Sequence, residues 1–281
     1  MALHPEAAAW LDGQARLGLP SKSQWTIAEV RARYAEQSKA WAGEPPPVAV
    51  EQTPVGRLYG TGKGLLVYAH GGRFISGGAE THDALCRHLA AASGCGVLLV
   101  DYRLAPEHRF PAALDDVRAA RDWALLQSSQ VALAGDSAGG SLAAAAALDR
   151  PSDIRALALF YPMLDATLSR PSHTEFRTGP GPSGDDMRLG YDLYLPDRAD
   201  RRGPAISPLF AEGPLPPMWV LTVEYDSLRD EGLEFARKHG AAYIHLDGWI
   251  HGILTLPGRF AIARNAIDDA ARWLSTAIEV G

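Results

Sequence analysis

From about residue 64 onward, short apolar runs alternate with amphipathic stretches. "GLLVYAH" (64–70), "GVLLVDYR" (96–103), "QVALAGD" (130–136), "IRALALFYP" (154–162), "PMWVLTVEYD" (217–226) and "AAYIHLD" (241–247) are rich in Val and Leu and bounded by turn residues. Such runs predict strands buried on both faces, as in the middle of a parallel sheet. Helix-like segments fall between them, near 80–93, 111–128, 138–149 and 229–239, with a last one near 260–279. In that last segment Ile267, Ala271, Leu274 and Ile278 share one face at helical spacing. Repeated strand–helix alternation predicts an α/β protein, a mostly parallel central sheet with helices on both faces.

Two regions break the alternation. Residues 1–45 read as helical and polar, stopping at the proline-rich "GEPPPV" before two edge strands near 48–60. Residues 165–216 read as irregular, with "GPGPSGDDM" and "GPLPPM" as breakers. An insertion of that length between core strands is usually functional, often a lid. The alanine run Ala143–Ala147 reads as plain helix propensity, and "DRADRR" (197–202) as a solvated loop.

Chemistry enters at Gly135-Asp136-Ser137-Ala138-Gly139, a G-x-S-x-G pattern lying between a predicted strand and a predicted helix. With 28 glycines in the chain the bare pattern carries little; its strand–turn–helix setting carries more. In that setting the serine hydroxyl stands exposed over a helix N-terminus, so Ser137 is the candidate nucleophile, against the plainer reading of a glycine-rich turn with an idle serine. Ser141, one helical turn on, reads as an ordinary helix residue. A second glycine-rich stretch, "HGGRF" (70–74), follows the strand at 64–70. Its glycines suit a backbone that aims N–H groups at a developing oxyanion.

Three segments together, His70-Gly71-Gly72, "DYRLAPEHRFPAALDD" (101–116) and "GDSAGG" (135–140), resemble the hormone-sensitive-lipase family of α/β-hydrolase carboxylesterases. The similarity covers nearly the whole chain. It implies an α/β-hydrolase fold in one domain, residues 1–281, with a helical cap from about 1–45 and 165–205 and a core from about 46–164 and 206–281. It also implies an oxyanion hole formed by the N–H groups of Gly72, Arg73 and Ala138. In the 101–116 segment, Asp101, Arg103 and Glu107 are expected to brace these loops rather than to react. Arg73 departs from the family, which usually has glycine or alanine there. Its side chain either points to solvent or pairs with a cap carboxylate, or it borders the substrate pocket and favours an acyl or alcohol group bearing a negative charge or a carbonyl. Tyr161 and Pro162 either line a pocket or pack.

A serine needs a histidine base, and that histidine an orienting carboxylate, in the chain order Ser, Asp or Glu, His. His251 in "DGWIHGIL" lies in a loop between the last predicted strand and the last helix, where this fold presents its base. His245 falls inside a strand, His239 ends a helix and His173 sits in the irregular insertion, so all three read as structural or surface residues. Asp226 stands at the carboxyl end of a strand, where ligand-facing residues belong in open α/β sheets. Glu224 lies within that strand, and Asp230 and Glu231 start the next helix, where acids suit the dipole. The resemblance selects Asp226 as well, giving Ser137, Asp226 and His251.

The totals exclude several classes. Of 281 residues 47% are hydrophobic, ample for a core, and the formal charge of −6 argues against a nucleic-acid binder or a partner of acidic membranes. The N-terminal stretch lacks a basic and an apolar leader region, and no apolar run approaches the roughly 20 residues of a membrane helix. Cys86 and Cys95 fit buried free thiols, and a cytoplasmic protein is expected. No metal-ligand spacing appears, and "GTGKG" (60–64) precedes a strand rather than following one, so no cofactor is implied. The expected partner is a small ester substrate, with a homodimer left open. The expected reaction is hydrolysis of short-acyl esters through an acyl-enzyme; an amidase or arylformamidase on the same site, and a non-catalytic ligand receptor, are the alternatives.

Overall fold

The computed structural model describes residues 2–18 and 25–279; of the helical segment expected at 1–45, residues 1 and 19–24 lie outside them. The strands are β1 (Val50–Thr53), β2 (Gly56–Tyr59), β3 (Leu65–Ala69), β4 (Gly96–Val100), β5 (Val131–Asp136), β6 (Leu157–Phe160), β7 (Met218–Tyr225) and β8 (Ala242–Ile250). They form one sheet in the order β1-β2-β4-β3-β5-β6-β7-β8. β1 and β2 pair antiparallel, and β2 meets β4 antiparallel. From β4 to β8 every pairing is parallel.

Helices connect these strands: α1 (Pro5–Arg16), α2 (Ile27–Ala40), α3 (Ala79–Ser93), α4 (Ala112–Gln127), α5 (Ala138–Asp149), α6 (Pro171–Glu175), α7 (Gly184–Tyr194), α8 (Arg229–His239) and α9 (Ala261–Glu279). Alternate residues of each central strand feed opposite cores, as the two-residue period of a strand requires. Val67, Leu133, Leu159 and Val220 pack with α4, α5 and α8 on one side. Leu66, Ala132, Ala158 and Trp219 pack with α1, α3 and α9 on the other. The arrangement is an α/β-hydrolase fold, and among the described residues no helix is long and apolar enough to cross a membrane.

Two local expectations change. The insertion at 165–216 is not irregular throughout, because it holds α6 and α7. α7 opens with a capping box in which Ser183 Oγ accepts from the N–H of Asp186 while the Asp186 carboxylate accepts from Ser183. The alanine run of α5 reflects more than propensity: every residue from Ala138 to Ala147 is buried, and the helix is apolar all round. A helix in that position has no solvent face, so small side chains suit its close packing.

Candidate active site

Ser137 sits between β5 and α5 with φ 53° and ψ −121°, in the left-handed half of backbone space that a residue with a Cβ seldom enters. The glycines beside it are steric requirements. A Cβ on Gly135 would collide with the carbonyl of Gly139, and one on Gly139 with the carbonyls of Ala69 and His70. Backbone bonds complete the turn: the Ser137 N–H donates to Phe160 O at 2.9 Å, and Met163 N–H donates to Ser137 O at 3.0 Å. The serine is therefore lashed to the end of β6 and to the segment just beyond it.

The sheet brings Asp226 and His251 together. β7 and β8 run in register from Trp219↔Ala242 to Val223↔Leu246, then a bulge in β8 makes Tyr225 pair with Ile250. In plain register Tyr225 would have met Gly248, which instead takes φ 76°. The next residues after the final pair are Asp226 and His251. His251 Nδ1 lies 2.7 Å from Asp226 Oδ2, with both side chains buried. Asp226 Oδ1 accepts from the N–H of Leu228 at 2.9 Å, which fixes the carboxylate plane. With Nδ1–H donated to the carboxylate, Nε2 of the ring is the nitrogen left to accept a proton.

Tyr161 joins the two halves. It follows Phe160, the acceptor of the Ser137 N–H, and its ring centroid lies 4.4 Å from that of His251. Its hydroxyl accepts from Leu254 N–H at 3.3 Å, tying down the segment beyond the histidine. Tyr161 is fully buried and holds a φ of 35°. Of the two readings left open for it, packing is what the structure displays, with His251 as a neighbour.

The "HGGRF" loop carries three consecutive positive φ values, 129° at Gly72, 57° at Arg73 and 64° at Phe74. It is held from below by Asp136, whose buried Oδ1 accepts from Tyr68 Oη at 2.9 Å and Gly71 N–H at 2.8 Å and lies 3.1 Å from His82 Nε2. Burial alone would raise the Asp136 pKa, but His82, Tyr68 and the Gly71 N–H outweigh it and hold the carboxyl below its usual value. Burial also drives His70 down to about 3, so its ring is neutral, stacked on Tyr102 at 4.0 Å with Nδ1 on Gly71 O. Tyr102 donates to His70 O at 2.7 Å, and Ala105 N–H to Phe74 O at 2.9 Å. Within the 101–116 segment, Arg103 grips Asp116, whereas Glu107 takes both guanidinium nitrogens of Arg31 from α2. That pairing holds the Glu107 pKa down to about 2. Arg31 also donates to Ile75 O and Ala105 O, so α2 clamps the end of the loop.

Arg73 is largely withdrawn from solvent: its side chain is 13% exposed and NH1 lies 3.2 Å from Asp186 Oδ1 of α7. This is the pairing with a carboxylate of the inserted segment, and the charge is compensated where it stands.

Other weighed residues lie elsewhere. Glu224 accepts from Gly248 N–H at 2.6 Å at the bulge, and His245 Nδ1 lies 2.7 Å from Thr222 Oγ1. Glu231 is not a surface acid at a helix start. It is buried, 2.7 Å from His173 Nε2, and accepts from Leu164 N–H. Burial raises the Glu231 pKa; His173 rises too, burial being outweighed there by the bond to Glu231. Together with Asp165, which is matched by Arg170, these groups seat the inserted segment on α8. Arg201 of the "DRADRR" stretch pairs with Asp192 and donates to Ala166 O, so that loop is anchored rather than merely solvated. Asp136, His82, Tyr68 and Arg31 escaped the sequence reading. Asp136 lay in plain view inside the elbow motif, but its partners are tens of residues away.

Strand order, elbow and acid–histidine pair define the class of the protein, an α/β-hydrolase. The family model described as "alpha/beta hydrolase fold" matches residues 66–254. The chain is 32% identical over 267 residues to an arylesterase of Saccharolobus solfataricus, covering 85% of this chain and 86% of the relative. It is 36% identical over 186 residues to an ethyl acetate hydrolase of Pseudomonas putida, covering 61% of this chain and 58% of that one. Among solved structures, a hyperthermophilic esterase from Pyrobaculum calidifontis superimposes with a TM-score of 0.90 at 33% identity, covering 99% of this chain and 100% of that one. The chain belongs to the α/β-hydrolase family, in its hormone-sensitive-lipase group of carboxylesterases.

Proposed function

We propose that the chain hydrolyses small, short-acyl carboxylic esters through an acyl-enzyme, with Ser137 as nucleophile, His251 as base and Asp226 as the orienting acid. The buried Asp226–His251 pair at 2.7 Å, set against the same tyrosine whose strand end anchors the strained Ser137 turn, carries this reading. His251 Nε2 takes the Ser137 proton as Oγ attacks the ester carbonyl, and the imidazolium is stabilised by Asp226. The tetrahedral oxyanion accepts from the N–H groups of Gly72, Arg73 and Ala138; among the described residues none of these donates to a protein acceptor. His251 then protonates the departing alcohol, and an activated water attacks the acyl-serine in the same way. In this proposal α1, α2, α6 and α7 form the cap over the site.

A short acyl chain suits an inserted segment rich in prolines and charges rather than in oily side chains. It also suits the similarity to an enzyme named for ethyl acetate. The test is turnover of p-nitrophenyl acetate, butyrate and decanoate by the wild type and by Ser137→Ala. Rapid cleavage of the two short esters, with the variant slower by at least about 10³-fold, is expected. Equal rates in both proteins would sink the nucleophile assignment, and preference for decanoate would sink the chain-length reading. An anilide of the same acyl group, cleaved faster than the ester, would make the chain an amidase.

A further inference from the structure

We propose that α7 positions the oxyanion loop through Arg73, with Asp186 and Gly190 as the contact points. The inference rests on the reading of Ser137 and the loop N–H groups given above. Asp186, Gly190 and Tyr194 recur at four-residue intervals and so share one face of α7. Each meets the loop. Asp186 Oδ1 takes the Arg73 guanidinium at 3.2 Å, and its other oxygen is held by Ser183 N–H at 2.9 Å. Tyr194 stacks on Phe74 with centroids 4.0 Å apart and planes 8° off parallel. Between them Gly190 lets the helix backbone lie directly on Arg73: an added Cβ would stand 2.9 Å from Arg73 Cβ and 3.0 Å from Arg73 O.

A flexible glycine at position 73 would adopt the left-handed φ without cost but would also leave it freely. Arginine accepts strain at φ 57° and needs a fixed partner, because a guanidinium mostly removed from water must be matched by an anion. The partner sits on a helix that cannot be displaced without unstacking Phe74. In place of the mobility of glycine, the chain thus has an anchored residue at the position whose N–H the functional reading assigns to the oxyanion. Arg73 and Asp186 are positioning residues here: they act on the oxyanion through the loop backbone.

The experiment compares Arg73→Met, Asp186→Asn and the double variant with wild type on p-nitrophenyl butyrate, adding the inhibition constant of phenylethylboronic acid, which forms a tetrahedral anion on the serine. Each single change is expected to lower kcat about tenfold with KM within about twofold, and to weaken boronate binding by a similar factor. The double variant should be little worse than either single one, since both remove one linkage. Asp186→Glu should recover part of the loss, and Gly190→Ala should lose as much as Arg73→Met while remaining folded by circular dichroism. Unchanged kcat and boronate affinity in Arg73→Met, with Ser137-dependent turnover intact, would overturn this proposal alone. So would losses confined to anionic esters, which would make Arg73 a reader of substrate charge. Loss of Ser137 dependence would instead bring down the functional reading beneath it.

Discussion

Asp136 offers the sharpest test of how the site is held. Three donors converge on its buried Oδ1, from Tyr68, Gly71 and His82. Asp136→Asn keeps an oxygen in place and removes the charge. Hydrogen bonds to a charged group contribute about 1.5–3 kcal/mol each and neutral ones about 0.5–1.5, so three weakened bonds cost about 3 kcal/mol. Against a typical total stability of about 5–15 kcal/mol that is a large fraction. At roughly 2–4 °C per kcal/mol for a domain somewhat smaller than this, the melting temperature should fall about 6–12 °C. Because one of the three donors starts the loop proposed to hold the oxyanion, kcat should fall as well, by about tenfold, at temperatures where the variant is still folded. The pH dependence has a definite sign. The folded carboxyl is held below its ordinary value, so its stabilisation is present above the usual carboxylate range and is lost as pH falls through the folded pKa. Melting curves of the two proteins should therefore differ at neutral pH and converge only in strong acid. Thermal melts across pH 3–8 with kcat at 25 °C provide the assay. A neutral-pH melting difference below about 1 °C with kcat within twofold would refute the reasoning.

Other expectations follow from the same structure. Tyr161→Phe keeps the ring against His251 but deletes the acceptor of Leu254 N–H, so kcat should drop about three- to tenfold with KM nearly constant, measured on p-nitrophenyl butyrate. Glu231 and His173 both have raised folded pKa values, so the pair favours the folded state when protonated. That contribution is full below the ordinary carboxylate value and declines as pH rises through neutrality. Glu231→Gln should flatten this alkaline decline in melting temperature, and an unchanged slope would count against the assignment. Gly139→Ala should abolish soluble folded protein or lower its melting point by more than 10 °C, because the new methyl meets two backbone carbonyls that cannot yield. Arg31→Ala removes bonds to Ile75 O, Ala105 O and Glu107, and should lower kcat more than it lowers stability, as judged by rate and melt together.

Much of this architecture was legible beforehand because it depends on local pattern. The six core strands read as short apolar runs and the helices between them as amphipathic stretches, and Ser137, Asp226 and His251 stand at or just beyond strand ends, where such a sheet gathers its ligand-facing residues. α7 was obscured by "GPGPSGDDM": prolines and glycines dominate that stretch, and the Ser183–Asp186 capping box is buried within it. The bulge in β8 was missed because Asp247 and Gly248 read as the end of a strand, whereas the strand resumes through Trp249 and Ile250. The braces on the loop were illegible for another reason. Arg31 and Glu107 are 76 residues apart and Tyr68 and Asp136 are 68 apart, and no local signal pairs them. The partner of Arg73 belongs to the same group, since Asp186 looks like one acid among many until the fold brings it 3.2 Å away.

The irregular stretch of β8 turns the meeting of Asp226 and His251 into a matter of counting. Three residues, Asp247 to Trp249, separate the last regular pair from the one that seats His251 beside Asp226. Removing one of them would present Gly252, with no side chain to offer, where the imidazole now stands, and adding one would present Ile250. Loops elsewhere on such a sheet can lengthen or shorten while homologues diverge. Here a change of a single residue would part His251 from Asp226 without replacing any of the proposed catalytic groups, so the length of this short span should be held more tightly over evolutionary time than its composition.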